Sequence, residues 1–348
     1  HPLHDALPIW CGAVFDTVGR IERGAFEFAL PDGRVFRAEG DRPGPTARVD
    51  VRNPDTFGRV VRDGELGFAE AYLDGWWDTP DLQALLDVAL MNNEEVAREF
   101  AGAALVRWLE RLRHWMNRNT KAGSRRNIAA HYDLGNPFYA KWLDETMTYS
   151  SALFGGSQES LETGQANKYA SICDRIGAPE GGHVLEIGCG WGGFAEYAAK
   201  ERGLRVTGLT ISREQHDYAA ARIQAAGLSD RVDIVLRDYR DERGTYDGIA
   251  SIEMFEAVGE RYWPAYFETV RERLKPEAQA CLQIITIADH LFDGYRKGVD
   301  FVQKYIFPGG MLPSQAALAE QTRSAGLRLV DTLEFGSNYS DTLRRWHA

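Results

Sequence analysis

The residues best placed to do chemistry lie in the run Val184-Leu185-Glu186-Ile187-Gly188-Cys189-Gly190-Trp191-Gly192-Gly193, an apolar strand that enters a glycine turn and opens a helix. Gly188, Gly190 and Gly192 let the backbone bend tightly and approach a ligand closely, and the free N–H groups of the helix start face it. Glycine spacing of this kind serves a dinucleotide as well as other nucleoside ligands. The acid separates them: a carboxylate at Glu186 repels a pyrophosphate and suits a cation. The second strand, Val206-Thr207-Gly208-Leu209-Thr210-Ile211-Ser212, ends in hydroxyls instead of the acid that would hold a dinucleotide's ribose. Two further carboxylates, Glu253 and Glu256, stand three residues apart. If both face one cavity, one of them is protonated at neutral pH.

These groups need a scaffold, and the pattern after Ile128 supplies one. Strands are expected at His183–Ile187, Arg205–Leu209, Val232–Leu236, Tyr246–Ile252, Ala280–Ala288 and Leu327–Leu333. Helices are expected at Gly193–Glu201, Arg213–Ala226, Tyr262–Leu274 and Gln315–Ser324, with Gly203, Gly227 and Pro276 as stops. Strand alternating with helix is the signature of an α/β fold, a parallel sheet covered on both faces. Before it, Pro31-Asp32-Gly33 between Gly24–Leu30 and Arg34–Ala38 reads as a hairpin, and Asp81 caps helical periodicity that continues to about Asn119. The chain thus divides into a smaller α+β and helical accessory domain, residues 1–122, and a Rossmann-like domain, residues 123–348. The Gly-, Ser- and Arg-rich stretch Thr120–Arg126 marks the boundary.

Composition excludes several function classes. A net charge of −11, from 40 basic and 51 acidic residues, argues against nucleic acid. Charge is nevertheless concentrated locally. Arg107, Arg111, Arg113, Arg118, Lys121, Arg125 and Arg126 face a single acid, Glu110, with Trp108, Leu109, Leu112, Trp115 and Met116 interleaved at helical spacing. Such a basic amphipathic helix either packs on a core with a solvated face or docks on a membrane surface. Cys11, Cys173, Cys189 and Cys281 lie far apart without CxxC spacing, so neither a metal site nor a disulfide framework is expected. No apolar run is long enough to span a bilayer, and the opening His1-Pro2-Leu3-His4-Asp5 lacks a secretory pattern although it suggests a trimmed chain. A cytoplasmic protein is expected.

With Glu186 included, the turn reads E-x-G-x-G-x-G and resembles motif I of the S-adenosylmethionine-dependent methyltransferases. The resemblance sharpens over residues 60–345, carried by Ala130-His131-Tyr132-Asp133-Leu134-Gly135-Asn136, Met147-Thr148-Tyr149-Ser150-Ser151-Ala152, Leu209-Thr210-Ile211-Ser212-Arg213-Glu214-Gln215, Met254-Phe255-Glu256-Ala257-Val258-Gly259, Lys304-Tyr305-Ile306-Phe307-Pro308-Gly309-Gly310 and Phe335-Gly336-Ser337-Asn338-Tyr339. Together these resemble the cyclopropane-fatty-acyl-phospholipid synthase family, in its branch with an E-M-x-E-A-V-G motif. The resemblance implies S-adenosylmethionine as cofactor, an unsaturated phospholipid acyl chain as substrate and a peripheral position on the inner face of the membrane. It is compatible with a homodimer. It places Tyr149 and Ser150 at the methionine moiety, Glu186, Gly188, Gly190 and Gly192 at the cofactor turn, Thr210 and Gln215 beside the ribose, and Asp238 and Tyr239 at the adenine.

An alkene that attacks a sulfonium methyl group leaves a carbocation to be shielded from water, and aromatic faces suit that task. The family's base is attributed to a bicarbonate held by cysteine, glutamate, histidine and tyrosine. Glu256 and Tyr339 stand at two of these positions, Ser151 replaces the cysteine, and Ile285 is expected at the histidine position, with Gln283 a candidate replacement donor on the same strand face. Glu253 is an additional carboxylate. These departures leave the product open: a cyclopropane if a base takes a methyl proton, a methylene or methyl branch otherwise. Methylation of a small soluble nucleophile and a non-catalytic lipid- or cofactor-binding role are the rivals. The aromatic stretch His290–Pro313 reads as an acyl-pocket lid. Methyltransferases of this fold finish with a seventh strand, which is not visible after Tyr339. A C-terminally truncated chain with an exposed apolar edge at Leu327–Leu333, less stable and less active than a longer form, is therefore expected.

Overall fold

The computed structural model describes residues 9–92, 120, 123–124, 135–156 and 158–348. They fall into two compact units divided between 116 and 117, with Lys297–Lys304 joining the first unit. The basic stretch Arg107–Arg126, the helical periodicity between 93 and 119 and the motif from Ala130 to Leu134 lie outside the described residues, apart from Thr120, Gly123 and Ser124.

In the first unit α1 (Ile9–Val18) precedes β1 (Arg23–Ala29), β2 (Val35–Glu39) and β3 (Arg42–Val51), followed by α2 (Asp55–Leu73), β4 (Trp77–Asp78) and α3 (Leu82–Met91). The sheet order is β2-β1-β3-β4. The expected hairpin forms: Gly33 takes φ 86° in the turn, and Phe28 pairs with Phe36 in antiparallel register. The aromatic residues of these strands meet Phe15 of α1 and Phe57 of α2 in one core. Asp81 caps α3 by accepting from the Ala84 N–H at 2.9 Å, which satisfies one donor left open at a helix start.

The second unit is a parallel sheet of order β7-β6-β5-β8-β9. Its elements are α4 (Asn136–Tyr139), α5 (Leu161–Ile176), β5 (His183–Ile187), α6 (Gly193–Arg202), β6 (Arg205–Thr210), α7 (Arg213–Ala225), β7 (Val232–Leu236), β8 (Tyr246–Ile252), α8 (Trp263–Arg273), β9 (Leu274–Gln283), α9 (Asp289–Tyr295), α10 (Gln315–Ser324) and α11 (Gly336–His347). Successive strand residues feed opposite cores. Val184 packs with Ile172, Phe194 and Ile223 from α5, α6 and α7, whereas Leu185 and Ile187 pack with Phe255, Tyr266 and Phe267 on the α8 side. Each such aliphatic side chain contributes roughly 1.5–3 kcal/mol by leaving water. Strand order reverses between β5 and β8, so the carboxyl ends of these strands border the crevice where ligands of open α/β sheets bind.

The structure corrects the expected elements in three places. Helix α8 passes directly into β9 at Leu274, whose ψ of 134° is already extended, so Pro276 lies inside the strand and is not the helix stop. Strand β9 ends at Gln283, short of Ala288; beyond it Ile287 makes only a bridge to Ser314. Leu327–Leu333 is not a strand. No other strand among the described residues pairs with it, and Leu329 and Val330 are 63% and 65% exposed. A lone extended segment has no ladder partner for its N–H and C=O groups.

Candidate active site

Every residue expected at the site belongs to the second unit, and most converge at the carboxyl ends of β5, β6, β8 and β9. The glycine turn is built as its sequence requires. Gly188, Gly190 and Gly192 take φ of 85°, 51° and 85°, and Gly192 precedes the first turn of α6. The Gly188 and Cys189 N–H groups donate to the Leu209 carbonyl at 3.0 and 2.8 Å, which locks the turn to β6. A side chain at Gly188 would strike Met254 at 2.6 Å, whereas a Cβ at Gly190 meets no atom within 4 Å. The turn is therefore packed at its first glycine and open at its second.

Beneath it Glu186 is buried, and its Oε2 has no hydrogen-bond partner. Burial raises its pKa to about 8, opposed by the nearby Lys168. An unpartnered buried carboxylate oxygen beside an open glycine fits a ligand that brings positive charge. Ser150 accepts from Lys168 Nζ at its Oγ (2.6 Å) and from Gln165 Nε2 at its carbonyl (3.0 Å). Tyr149 packs among Tyr139, Trp142 and Trp346 at ring centroids of 5.7, 5.2 and 5.5 Å, and burial, then the charge of Glu253, pushes its hydroxyl up to about 12. Thr210 Oγ1 donates to Gln215 Oε1 at 2.9 Å, and Ser212 caps α7 by accepting from the Gln215 N–H, so threonine and glutamine meet at the end of β6. Asp238 is buried and accepts from the backbone and guanidinium of Arg240, while the Tyr239 ring lies edge-on to Tyr266 at 5.5 Å.

The paired acids are brought together. Glu253 sits just past β8 with φ 48°, a left-handed conformation that costs a non-glycine residue about 1–3 kcal/mol and is typical of functional sites. Its Oε1 accepts from the Ser151 N–H and from Gln283 Nε2, both at 2.8 Å. Gln283 Nε2 also donates to the Ser151 carbonyl at 3.2 Å, and the Ser151 hydroxyl donates to the Ala152 carbonyl at 3.1 Å. Glu256 Oε1 accepts from the Ile285 N–H, and its Oε2 is buried without a partner. Burial and the neighbouring Glu253 raise Glu256 to about 8. Glu253 is also raised by burial, but Lys168, the Ser151 N–H and Gln283 oppose the rise. Glu256, at about 8, keeps its proton at neutral pH, and Glu253 is the better-partnered of the two acids. Tyr339, on α11, has its pKa raised by burial and then by Glu253, Tyr149 and Glu256. Helix α11 is tied to the serine segment, for Thr342 Oγ1 accepts from the Ala152 N–H at 3.0 Å and Asn338 Oδ1 from the Phe154 N–H at 2.5 Å.

At the end of β9 Ile285 lends the site its backbone N–H, and Gln283 supplies the donating side chain. Sequence reasoning missed α5 altogether, and with it Gln165 and Lys168. The signal was a lysine within the stripe Gln165, Lys168, Ile172 and Ile176, at a position where a solvated face would put none.

Fold and site together define a Rossmann-like S-adenosylmethionine methyltransferase. Residues 119–348 match the family model described as mycolic acid cyclopropane synthetase, and the chain belongs to that family. It is 38% identical over 310 residues to the tuberculostearic acid methyltransferase UfaA1 of Mycobacterium tuberculosis, covering 85% of this chain and 71% of that one. It is 37% identical over 342 residues to the cyclopropane-fatty-acyl-phospholipid synthase of Escherichia coli K12, covering 92% and 83%. Among solved structures, the cyclopropane synthase MmaA2 from Mycobacterium tuberculosis aligns with a TM-score of 0.59 at 26% identity, over 64% of this chain and 81% of that one. The mycolic acid cyclopropane synthase CmaA1 complexed with SAH and CTAB aligns at 0.60 and 28%, over the same shares.

Proposed function

We propose that this enzyme uses S-adenosylmethionine to add a one-carbon unit to the double bond of an unsaturated phospholipid acyl chain, closing a cyclopropane. The observation that carries the reading is the buried Glu253–Glu256 pair beside the glycine turn, with Glu253 Oε1 held by two donors and Glu256 Oε2 without a partner. S-adenosylmethionine, when bound, supplies an electrophilic methyl group on a cationic sulfur. Glu186 and the open turn at Gly190 receive its positive end, with Gly188 and Gly192 shaping the turn, Tyr149 and Ser150 along the methionine, Thr210 and Gln215 at the ribose, and Asp238 and Tyr239 at the adenine. Alkene electrons take the methyl, the carbon–sulfur bond breaks, and the acyl chain is left cationic. Tyr149, Tyr339 and the neighbouring rings shield that charge. Loss of a methyl proton to Glu253 returns a C–H electron pair to the chain and closes the ring.

The Ser151 N–H and the Gln283 amide are already taken by Glu253 Oε1, so that half of the cradle offers no donor to an external bicarbonate, whereas Glu256 Oε2 is buried without a partner. Glu253 serves as the built-in base. A methyl- or methylene-branched product is the second reading, favoured by the 38% identity to a relative named a tuberculostearic acid methyltransferase. Methylation of a small soluble nucleophile is disfavoured by the aromatic surroundings of Tyr149. A lipid substrate requires the enzyme to work at a bilayer, and no described helix is long and apolar enough to cross one. Peripheral docking on the cytoplasmic face through Arg107–Arg126, with residues 1–122 as accessory domain and possible pairing of two copies, completes the reading.

The test incubates the protein with methyl-labelled S-adenosylmethionine and unsaturated phospholipid vesicles, then resolves the acyl chains by mass spectrometry. A labelled cyclopropane supports the proposal, a labelled branch the second reading. Label confined to soluble amines, or cofactor binding without transfer, overturns both.

A further inference from the structure

Lys168 has no place in the chemistry described so far, yet it is 1% exposed at the centre of the second unit. Helix α5 carries it, started by Ser160, whose side chain accepts from the Thr163 N–H. One turn earlier Gln165 grips the Ser150 carbonyl, so α5 holds the backbone of that serine with one side chain and its hydroxyl with the next. The hydrogen bond to Ser150 Oγ is the one Lys168 makes among the described residues. The groups that face it are Ser150 and Asp144 from the segment before α5, Glu186 from β5, Glu253 from beyond β8, and the Tyr169 ring 5.0 Å from Nζ on its own helix. None of the carboxylates forms a direct ion pair with it. A buried cation without an ion-pair partner is costly, and burial lowers Lys168 to about 7.

Hydroxyl chemistry gives the arrangement a direction. When an ammonium donates to a serine oxygen, that oxygen acts as acceptor and its own O–H remains to donate elsewhere. Ser150 then presents a donor suited to an anionic group.

We propose that Lys168 is a positioning residue for methyl transfer: through Ser150 it aims a hydroxyl proton at the carboxylate of the cofactor's methionine end. The inference rests on the cofactor assigned above.

Turnover of the full chain on oleoyl phospholipid vesicles is measured at varied S-adenosylmethionine, with calorimetry of S-adenosylhomocysteine binding and melting curves as a check on folding. Lys168→Met is expected to raise KM for the cofactor and Kd for S-adenosylhomocysteine at least tenfold while kcat changes less. Lys168→Arg leaves both raised, because a planar guanidinium cannot reproduce the contact to Ser150. Ser150→Ala raises both severalfold, and adding Lys168→Met to it adds little more, since the lysine acts through that hydroxyl. If Lys168→Met does not fold, the Arg and Ala variants still test the contact. Lys168→Met with wild-type KM and Kd, or a double variant whose loss is the product of the two single losses, overturns the assignment. Absence of heat when wild type is titrated with S-adenosylhomocysteine overturns the cofactor reading and this one with it.

Discussion

The role given to Glu253 is exposed most directly by Glu253→Ala with added bicarbonate. In wild type, Oε1 of this residue takes two short donors, the Ser151 N–H and Gln283 Nε2, each at 2.8 Å. After truncation Gln283 keeps its bond to the Ser151 carbonyl at 3.2 Å, but the Ser151 N–H is left buried without an acceptor. One such orphan costs about 1–3 kcal/mol, which for a domain of this size lowers Tm by roughly 2–12 °C. Loss of a positioned base lowers turnover by about 10²–10⁴. The vacated space keeps its donors, so a small carboxylate-like anion can refill it. Bicarbonate or formate at millimolar concentration is expected to raise both the Tm and the ring-forming turnover of Glu253→Ala, the latter at least tenfold. Wild type, whose Ser151 and Gln283 donors are already taken by Glu253, is expected to respond to neither. The assays are differential scanning fluorimetry and mass spectrometry of the acyl chains, in buffers stripped of carbon dioxide. Wild-type enzyme that stops when bicarbonate is removed, or a Glu253→Ala variant that runs at wild-type speed without it, refutes the reasoning.

Three other perturbations follow from the geometry. Gly190→Ala adds a Cβ that meets nothing, so the chain should fold at a cost of about 1–2 kcal/mol for the left-handed backbone while losing cofactor affinity by calorimetry; Gly188→Ala, which strikes Met254, should be the more destabilised of the two, and the reverse order would contradict the turn described. Glu186 and Glu256 are both raised to about 8, so the folded chain holds protons that the unfolded chain releases: their contribution is complete below about pH 4.5 and lost as pH rises towards 8, by up to about 1.4 kcal/mol per unit per group. Cofactor binding at pH 7 should then expel the Glu186 proton, seen as a buffer-dependent enthalpy that Glu186→Gln lacks; equal enthalpies in phosphate and Tris for wild type would remove that role. Thr342→Val should leave the Ala152 N–H without its acceptor, lower stability by about 1–3 kcal/mol and reduce turnover by loosening α11 and Tyr339, whereas unchanged melting and turnover would detach α11 from the site.

The parallel sheet was readable in the sequence where burial on both faces wrote it. His183–Ile187, Val232–Leu236 and Tyr246–Ile252 match the structure because short runs rich in aliphatic residues, such as Val184, Leu185, Ile234 and Ile249, are buried in the sheet. Leu327–Leu333 has an apolar pattern too, but a strand is a property of two segments, and composition cannot show that a ladder partner is missing. The same limit hid α5. Its buried side includes Gln165 and Lys168, polar residues that break an apolar stripe when read in one dimension and complete it once Ser150 is placed against them.

The site divides along a similar line. Glycines requiring positive φ, and an acid just ahead of them, declare their chemistry by type alone. That Gln283 donates to Glu253 and Ser151 depends on where β9 ends, a tertiary matter of its pairing with β8 up to Ile252 and Gln283. The roles of the two glutamates depended on their partners. Glu253 has two short-range donors and a buried cation in range, whereas Glu256 has one N–H and an adjacent negative charge. Identical residue types three positions apart therefore have different partners, and the strained φ of 48° at Glu253 turns the better-partnered acid into the cradle. If the base were instead an external anion, that strain would hold a carboxylate where it repels its own cofactor, so the backbone of Glu253 is itself an argument for a built-in base.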